Sequence, residues 1–383
     1  MATQTQTQTT TPDAPSKVVG SIATRASYEP LSRNNALDAH EHHSVTPHIG
    51  EEFPNVQLSS LLRSPDADKL IADLAVLVSE RGVAFFRAQD LSLEDQKTLG
   101  RKLGELSGKP AESGLHIHPT THAGAKKGDE ISVISSETFD SYSANDRSLL
   151  ASEGWHSDIT FEPVPSDYAI LKVHTSPETG GDTLWASAYE AYSRLSPTFR
   201  EFLEGKKAVH EAKFFERVAQ ARGHTLRDEV RGHPANAGAE LSAVHPIVRV
   251  NPVTGWKGLY VNPAFTRRIL GVTRDESDLL LNHLYALVSR NHDLQVRFNW
   301  TTYSPESGLG DIAIWDNRST FHTATQDYGR TLRVGDRVVS LGEKPYYSKD
   351  GKERRAALGL GPAAAERNLG QIALQLHGVK IAE

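Results

Sequence analysis

Two short stretches of the sequence hold residue types that could do chemistry together. The first contains His156 and Asp158, and the second contains His322, followed by Arg333 and Arg337. Two imidazoles and one carboxylate can bind one face of Fe(II) and leave positions open for O₂ and a co-substrate. On a strand, His156 and Asp158 would also point to the same side. These residues therefore predict a non-haem iron site with cations nearby for anionic ligands.

Each of these residues also has an ordinary interpretation. A His-x-Asp pair often occurs by chance in surface loops, and the chain has 17 histidines, so His322 gains weight only from the apolar strand that precedes it. Thr183 follows a Gly-Gly-Asp turn and could simply begin a strand. Arg333 and Arg337 could lie on a solvated strand edge. Inside a barrel, however, each arginine would need an anion to offset its burial.

The composition limits the class of protein. The chain has 383 residues, 38% hydrophobic and 23% charged, which allows a sizeable core. A net charge of −6 gives no electrostatic reason to expect nucleic acid or an anionic membrane as partner. The absence of cysteine excludes disulfides, iron–sulfur clusters and thiol nucleophiles. No apolar run reaches the roughly 20 residues of a membrane span, and the N-terminus is polar, so we expect a soluble, cytoplasmic protein.

The elements that must position these residues follow from periodicity. Asp66 and Ser92 are candidate caps of two amphipathic helices, and residues 273–276 fit a capping box that opens a third. Ser196-Pro197 is a further helix start. The pattern predicts a largely β centre with helices packed outside it. Its apolar strands are expected at residues 83–86, 168–175, 311–315 and 334–341, and irregular loops at 115–158 and 223–238.

Three regions are expected along the chain. Residues 1–40 begin with a Gln-Thr repeat and have little to bury, so they are predicted to form a disordered arm. Residues 41–347 would form one catalytic domain. Residues 348–383 would be a partly helical C-terminal extension, with a helix at 362–377. The sequence does not decide whether this extension docks on the core or contacts a second subunit.

In order and spacing, these motifs resemble the taurine dioxygenase (TauD/TfdA-like) family of Fe(II)/2-oxoglutarate-dependent dioxygenases. Thr183 follows His156 by 27 residues, and Arg333 follows His322 by 11. The resemblance covers roughly residues 45–347 and is closest in style to fungal sulfonate dioxygenases. It implies a double-stranded β-helix core, a jelly roll of the cupin type with flanking helices. The segments that carry it are Trp155 to Phe161, Gly180 to Trp185, Trp315 to His322, and Leu341 to Tyr347.

The resemblance also implies roles for single residues. His156, Asp158 and His322 would hold Fe(II). The co-substrate 2-oxoglutarate would chelate the iron, with its distal carboxylate on Arg333 and the Thr183 hydroxyl. O₂ would take a remaining position, and its reaction would give succinate and CO₂ while hydrogen is abstracted from a nearby substrate carbon.

The substrate is predicted to be a small organic anion. The segment around His118 resembles the part of the taurine enzyme that contacts the sulfonate, so His118 and Arg337 would form an anion clamp, with Phe161 as an apolar wall. The leading hypothesis is hydroxylation of a taurine-like organosulfonate next to sulfur, which releases sulfite and an aldehyde. Taurine itself is in doubt, because Thr120 and Thr121 replace the aromatic residue that follows the family's His-Pro pair.

Other functions remain open at this stage. The same chemistry on a carboxylate, such as an α-amino acid in secondary metabolism, could give hydroxylation, desaturation or ring closure. A catalytically silent binding module would not need the complete set of ligands, and a metallohydrolase would need neither Arg333 nor Thr183. A homo-oligomer is expected only because oligomers are common among soluble enzymes.

Overall fold

The largest sheet forms the frame on which the site is built. The computed structural model describes residues 29–137, 150–221 and 223–361. Seven strands form this sheet in the order β1-β2-β3-β13-β5-β15-β4, and among these strands only the β2–β3 pairing is parallel. Its strands are β1 (His43–Ser44), β2 (Glu51–Phe53), β3 (Val83–Gln89), β4 (Ser132–Ser135), β5 (Ser166–Thr175), β13 (Gly310–Asp316) and β15 (Val334–Leu341).

Three smaller sheets complete the described part of the chain. The first has the order β12-β6-β14, the second has the order β11-β7-β8, and β10 pairs with β9 in the third. Their strands are β6 (Thr183–Ser187), β7 (Lys207–Glu211), β8 (Ser242–Pro246), β9 (Val248–Val250), β10 (Lys257–Leu259), β11 (Thr266–Ile269), β12 (Gln295–Phe298) and β14 (Thr320–Ala324).

Alternation along the central strands divides the apolar side chains between two cores. On β3, Ala84 and Phe86 join the core under the first helices, while Val83 and Phe85 join an inner core. Residues 168–173 of β5 and 312–315 of β13 alternate in the same way. Trp185 of β6 enters the inner core from the other side. Two sheets thus enclose this core face to face, which confirms the predicted jelly-roll class.

Helices cover the outer faces of the sheets. They are α1 (Leu58–Arg63), α2 (Ala67–Arg81), α3 (Leu93–Leu106), α4 (Ala188–Ser193), α5 (Pro197–Leu203), α6 (Phe214–Ala221), α7 (Arg274–Ser289) and α8 (Arg354–Ala357), with short 3₁₀ turns at Ala36–Ala39, Ala151–Glu153, His292–Leu294 and Pro305–Ser307.

The predicted caps have different outcomes. Ser92 accepts a hydrogen bond from the Asp95 amide at 3.1 Å, and the capping box of Thr273 and Glu276 is complete. Asp66 stands at the predicted N-cap of α2, but its side chain forms no cap hydrogen bond. Its backbone has φ −97° and ψ 21° instead of the extended conformation that aims a cap side chain at the helix.

Both ends of the described chain pack on the domain. Arg33 donates to the buried Asp73 carboxylate at 2.7 and 2.9 Å, and Leu37 is fully buried, so the predicted arm of residues 1–40 includes a segment that docks on α2. Near the other end, Arg354 pairs with buried Glu190 at 3.1 Å, so residues 348–361 dock on the core. The predicted helix at 362–377 lies outside the described residues. No helix in the described ranges has the length and apolarity to cross a membrane.

Candidate active site

The two predicted histidine ligands meet across a short backbone bridge. His156 precedes β5, His322 lies on β14, and each donates its backbone N–H to the other's carbonyl, at 3.0 and 2.7 Å. This antiparallel pairing brings the ring centroids within 4.2 Å of one another. The Nδ1 atom of His156 lies 2.8 Å from the Gly154 carbonyl oxygen, so its Nε2 is left for a ligand.

Asp158 completes a set of three possible metal ligands. Its Oδ1 lies 3.9 Å from Nε2 of His156 and 3.8 Å from Nε2 of His322, and the three candidate ligand atoms all lie within 4.8 Å of one another. Two imidazole nitrogens and one carboxylate oxygen around a single point are the donor set expected for a facial Fe(II) site. The residues present therefore fit the metal that the sequence predicts.

Asn317 fixes the orientation of the Asp158 carboxylate. Its Nδ2 donates to Asp158 Oδ2 at 3.2 Å and to Ser166 Oγ at 2.9 Å. Its Oδ1 accepts from the Asp158 amide at 3.0 Å and from the Trp315 indole at 3.0 Å. All four amide contacts are made inside the protein, so the side chain is held in one orientation. Such partners of a ligating group typically raise metal affinity.

The electrostatics of the cluster favour binding of a cation. Burial lowers the pKa of His156 and His322, which keeps both imidazoles neutral and able to ligate a metal. Burial alone would raise the pKa of Asp158, but the nearby Arg337 cation and the hydrogen bond from Asn317 lower it to about 2. The carboxylate is therefore ionised at neutral pH.

Arg333 and Thr183, predicted to bind the co-substrate, lie in contact. The Arg333 guanidinium donates to the Thr183 hydroxyl at 3.2 Å and to the Gly181 carbonyl at 2.8 Å. Among the described residues, no carboxylate forms an ion pair with Arg333, since Asp182 pairs with Arg297 instead. Burial lowers the pKa of this guanidinium. A buried cation without a paired anion is suited to the carboxylate of a ligand.

Trp300 and Gly181 lie beside Arg333, and the sequence analysis did not identify Trp300. The indole of Trp300 donates to the Thr183 hydroxyl oxygen at 3.1 Å, and the same oxygen accepts from Arg333. Gly181 has φ +70°, and a Cβ there would lie 3.0 Å from Cδ of Arg333, so glycine allows this close approach. Trp300 follows the strand β12, and no local spacing in the sequence connects it with Thr183.

Arg337 reaches the site from β15. It shares its strand face with Val339 and Leu341, whose side chains lie in the inner core. Its NH1 donates to Asp158 Oδ1 at 2.6 Å, while its buried Nε has no hydrogen-bond partner within the described protein. His118, the other residue of the predicted anion clamp, is not a hydrogen-bond partner of Arg337 in the described part of the chain. The structure thus places a partly unsatisfied cation directly beside the three ligands.

His118 and Phe161 lie along one aromatic wall. The His118 ring is 4.8 Å from Phe215, which is 5.6 Å from Phe161. Phe161 in turn lies 5.2 Å from Phe265, whose ring is 6.0 Å from that of His156. Phe215 and Phe265 were not predicted, because neither α6 nor the residue before β11 belongs to a motif that connects it with the predicted iron ligands. The wall joins the proposed anion clamp to the metal site.

Comparisons with known proteins match most of this chain. The family model "Taurine catabolism dioxygenase TauD, TfdA family" matches residues 41–338. The chain is 40% identical to the alpha-ketoglutarate-dependent dioxygenase esdpJ of Penicillium shearii, over 89% of this chain and 99% of that protein. It is 33% identical to an alpha-ketoglutarate-dependent sulfonate dioxygenase of Saccharomyces cerevisiae, over 79% of this chain and 66% of that protein. A taurine dioxygenase structure from Burkholderia xenovorans superposes with a TM-score of 0.61 at 29% identity, covering 82% and 92% of the two chains.

Proposed function

Because the chain belongs to the TauD, TfdA family of alpha-ketoglutarate-dependent dioxygenases, we propose that it hydroxylates a small organosulfonate at the carbon next to sulfur. The hydroxylated product would collapse to an aldehyde and sulfite. One oxygen atom of O₂ enters the substrate and the other enters succinate, which is formed from 2-oxoglutarate with loss of CO₂. The observation that carries this proposal is the Arg337 cation, which lies beside the iron ligands with its Nε unsatisfied.

The iron and co-substrate sites are assigned to the residues predicted from sequence. His156, Asp158 and His322 would hold Fe(II), which supplies activation of O₂ when bound. Arg333 and Thr183 would bind the distal carboxylate of 2-oxoglutarate. This assignment is supported by the burial of Arg333, by the hydroxyl contact at 3.2 Å and by the lack of an ion pair within the described chain.

The substrate would lie between a cationic end and an aromatic wall. Arg337 and His118 would bind its anionic head group, and Phe161 would contact its carbon chain. The planar guanidinium of arginine can donate two parallel hydrogen bonds to an oxyanion. Head-group binding would hold one carbon near the metal, and the aromatic side chains would exclude water, so that oxidation is directed at that C–H bond.

A carboxylate substrate is a second candidate. The fork of Arg337 would bind a carboxylate as well as a sulfonate. The relative at 40% identity is named only as an alpha-ketoglutarate-dependent dioxygenase, without a sulfonate in its name. On an α-amino acid, the same abstraction of hydrogen would lead to hydroxylation, desaturation or ring closure.

Sulfite release separates the two candidates. Protein loaded with Fe(II) is incubated with 2-oxoglutarate, O₂ and a panel of alkyl sulfonates, sulfate esters and α-amino acids, and succinate and sulfite are both quantified. Equal amounts of sulfite and succinate with a sulfonate would support the proposal. Succinate formation with amino acids, without sulfite from any sulfonate, would show that the substrate is a carboxylate.

A further inference from the structure

A buried ion pair lies one residue beyond the aromatic wall. Glu162 directly follows Phe161, and its carboxylate accepts two hydrogen bonds from Arg231, from Nε at 2.6 Å and from NH2 at 2.9 Å. Both side chains are 1% exposed. His116 Nε2 also lies 3.2 Å from Glu162 Oε1. One carboxylate therefore joins the segment of the iron ligands, the segment of His118 and the loop that carries Arg231.

Arg231 also organises its own loop. Its NH1 donates to the carbonyls of Arg227 and Gly238, at 3.0 and 2.9 Å. The Asn236 side chain bonds both the amide and the carbonyl of Val164, at 2.9 and 2.7 Å. The sequence predicts an irregular loop at residues 223–238. The contacts show a loop that folds around a buried guanidinium and is fastened to the chain that follows Glu162.

The same loop holds the His118 segment on both sides. The Gly114 amide donates to the Gly232 carbonyl at 2.8 Å, and the Arg227 amide donates to the Pro119 carbonyl at 2.8 Å. Gly232 has φ +88°, and a Cβ there would lie 2.2 Å from the Leu115 carbonyl oxygen, so this approach requires glycine. His118 therefore lies between two backbone attachments, with His116 held on Glu162 between them.

We propose that Arg231 and Glu162 are positioning residues that set where His118 and Phe161 lie relative to the iron ligands, and so determine affinity for the prime substrate. This inference rests on the proposed roles of His118 and Phe161. Arg333 and Thr183 make no hydrogen bond to this network among the described residues. Loss of the pair therefore displaces the substrate side of the site and leaves the co-substrate side in place.

The test compares Arg231→Met with Arg249→Met. Arg249 pairs with Glu343 in a second buried arginine–glutamate pair, with side chains 1% and 4% exposed. In the described structure, neither residue forms a hydrogen bond or an ion pair with His156, Asp158 or His322. Both variants lose a buried ion pair. Comparing their thermal unfolding temperatures therefore separates general destabilisation from an effect that is specific to Arg231. We expect Arg231→Met to raise the KM for the prime substrate by about ten- to a hundred-fold relative to Arg249→Met, since small displacements of residues that position a substrate have effects of this size. The KM for 2-oxoglutarate and succinate formation without prime substrate should be unchanged.

Two further measurements keep the result interpretable. Arg231→Lys keeps the charge but not the two parallel hydrogen bonds, so its KM should fall between those of the wild type and Arg231→Met. If Arg231→Met does not fold, Glu162→Gln provides the same comparison with little change in side-chain size. Hydrogen exchange of residues 114–119, which needs no substrate, should become faster in Arg231→Met and not in Arg249→Met.

The outcomes separate this inference from the proposed function. Faster exchange at 114–119 with a higher KM for whichever substrate class is turned over supports the positioning role, even if that class is not a sulfonate. Unchanged exchange, or equal effects on the KM of both substrates, would overturn it. A protein that turns over sulfonates but gives identical KM values for the Arg231 and Arg249 variants would retain the proposed function and refute this inference alone.

Discussion

Arg337 donates to the same Asp158 oxygen that faces the Nε2 atoms of His156 and His322, at an NH1–Oδ1 distance of 2.6 Å. One side chain thus joins the proposed metal site to the proposed substrate site. Asn317 holds the other oxygen of the same carboxylate at 3.2 Å, so Asp158 is fixed between an amide and a cation. In the proposed complex, the position of the substrate's head group would thereby be tied to the geometry of the iron ligands.

Replacing Arg337 should weaken binding of the prime substrate. We expect Arg337→Met to raise the KM for the prime substrate by about 30-fold or more, because losing one partner of a buried charge contact costs about 2 kcal/mol or more. The KM for 2-oxoglutarate should change little. Steady-state kinetics with each substrate varied in turn would measure both. A rise confined to 2-oxoglutarate would show that the roles of the two arginines are reversed.

Replacing Arg333 should have the opposite selectivity. Arg333→Met removes the buried cation beside Thr183, so the KM for 2-oxoglutarate should rise by about 30-fold or more for the same reason. The exposed Arg330 three residues earlier provides a matched control, and Arg330→Met should behave as the wild type. Calorimetric titration of 2-oxoglutarate into the metal-loaded protein without O₂ would detect the loss directly. Equal affinities for the two variants would refute the assignment.

Asn317 should act through the metal. Asn317→Ala removes the side chain that holds Asp158 and Trp315, and loss of such partners typically lowers metal affinity by about 10- to 100-fold. Competition with a metal-responsive dye would give the dissociation constant. Asn55→Ala, at an exposed asparagine that bonds Glu41, should leave it unchanged. An unaltered constant for Asn317→Ala would mean that the carboxylate does not need this orientation.

Acid should release the segment around Leu37. Burial raises the pKa of Asp73, but hydrogen bonds from Arg33 and from the Leu37 and Asn35 amides outweigh it, so the pKa falls below its usual 3.8. A carboxyl group with a lowered pKa stabilises the folded state above its ordinary pKa, and the stabilisation is lost as the pH falls through the folded value. The protection of the Leu37 amide against hydrogen exchange, relative to the intrinsic exchange rate at each pH, should therefore fall below about pH 4.

Asp73→Asn provides the comparison for this effect. The variant cannot form the ion pair with Arg33, so the segment should already exchange faster at neutral pH and show little further change in acid. An acid dependence equal to that of the wild type would assign the titration to another group.

The sequence could predict the parts of the site that are set by local spacing. His156 and Asp158 lie within one short stretch. Arg333 directly precedes a strand and Arg337 lies on it, and the alternation of side chains along this strand is visible in the sequence. The central strands were predicted as well, since their apolar residues are consecutive. Strand β4 was missed within the predicted loop of residues 115–158, because it has four residues of mixed burial at the edge of the sheet.

Contacts between distant segments could not be predicted in this way. Glu162 and Arg231 are 69 residues apart, and nothing in the spacing of either residue indicates a partner. The same holds for Trp300 and Thr183, which are separated by 117 residues. Such pairs depend on how the sheets close around the inner core, which is a property of the complete fold. A single sequence contains the residue types but not their neighbours in space.

The most direct test of the central claim measures succinate in the presence of Fe(II), 2-oxoglutarate and O₂, with the substrate panel, for the wild type and for Asp158→Ala. We expect succinate to rise with at least one anionic substrate in the wild type, together with sulfite or another oxidised product. Asp158→Ala should lose both bound iron and turnover, while His292→Ala, at an exposed histidine, should retain them. Turnover by Asp158→Ala at normal iron content would contradict the assignment of His156, Asp158 and His322 as the iron site.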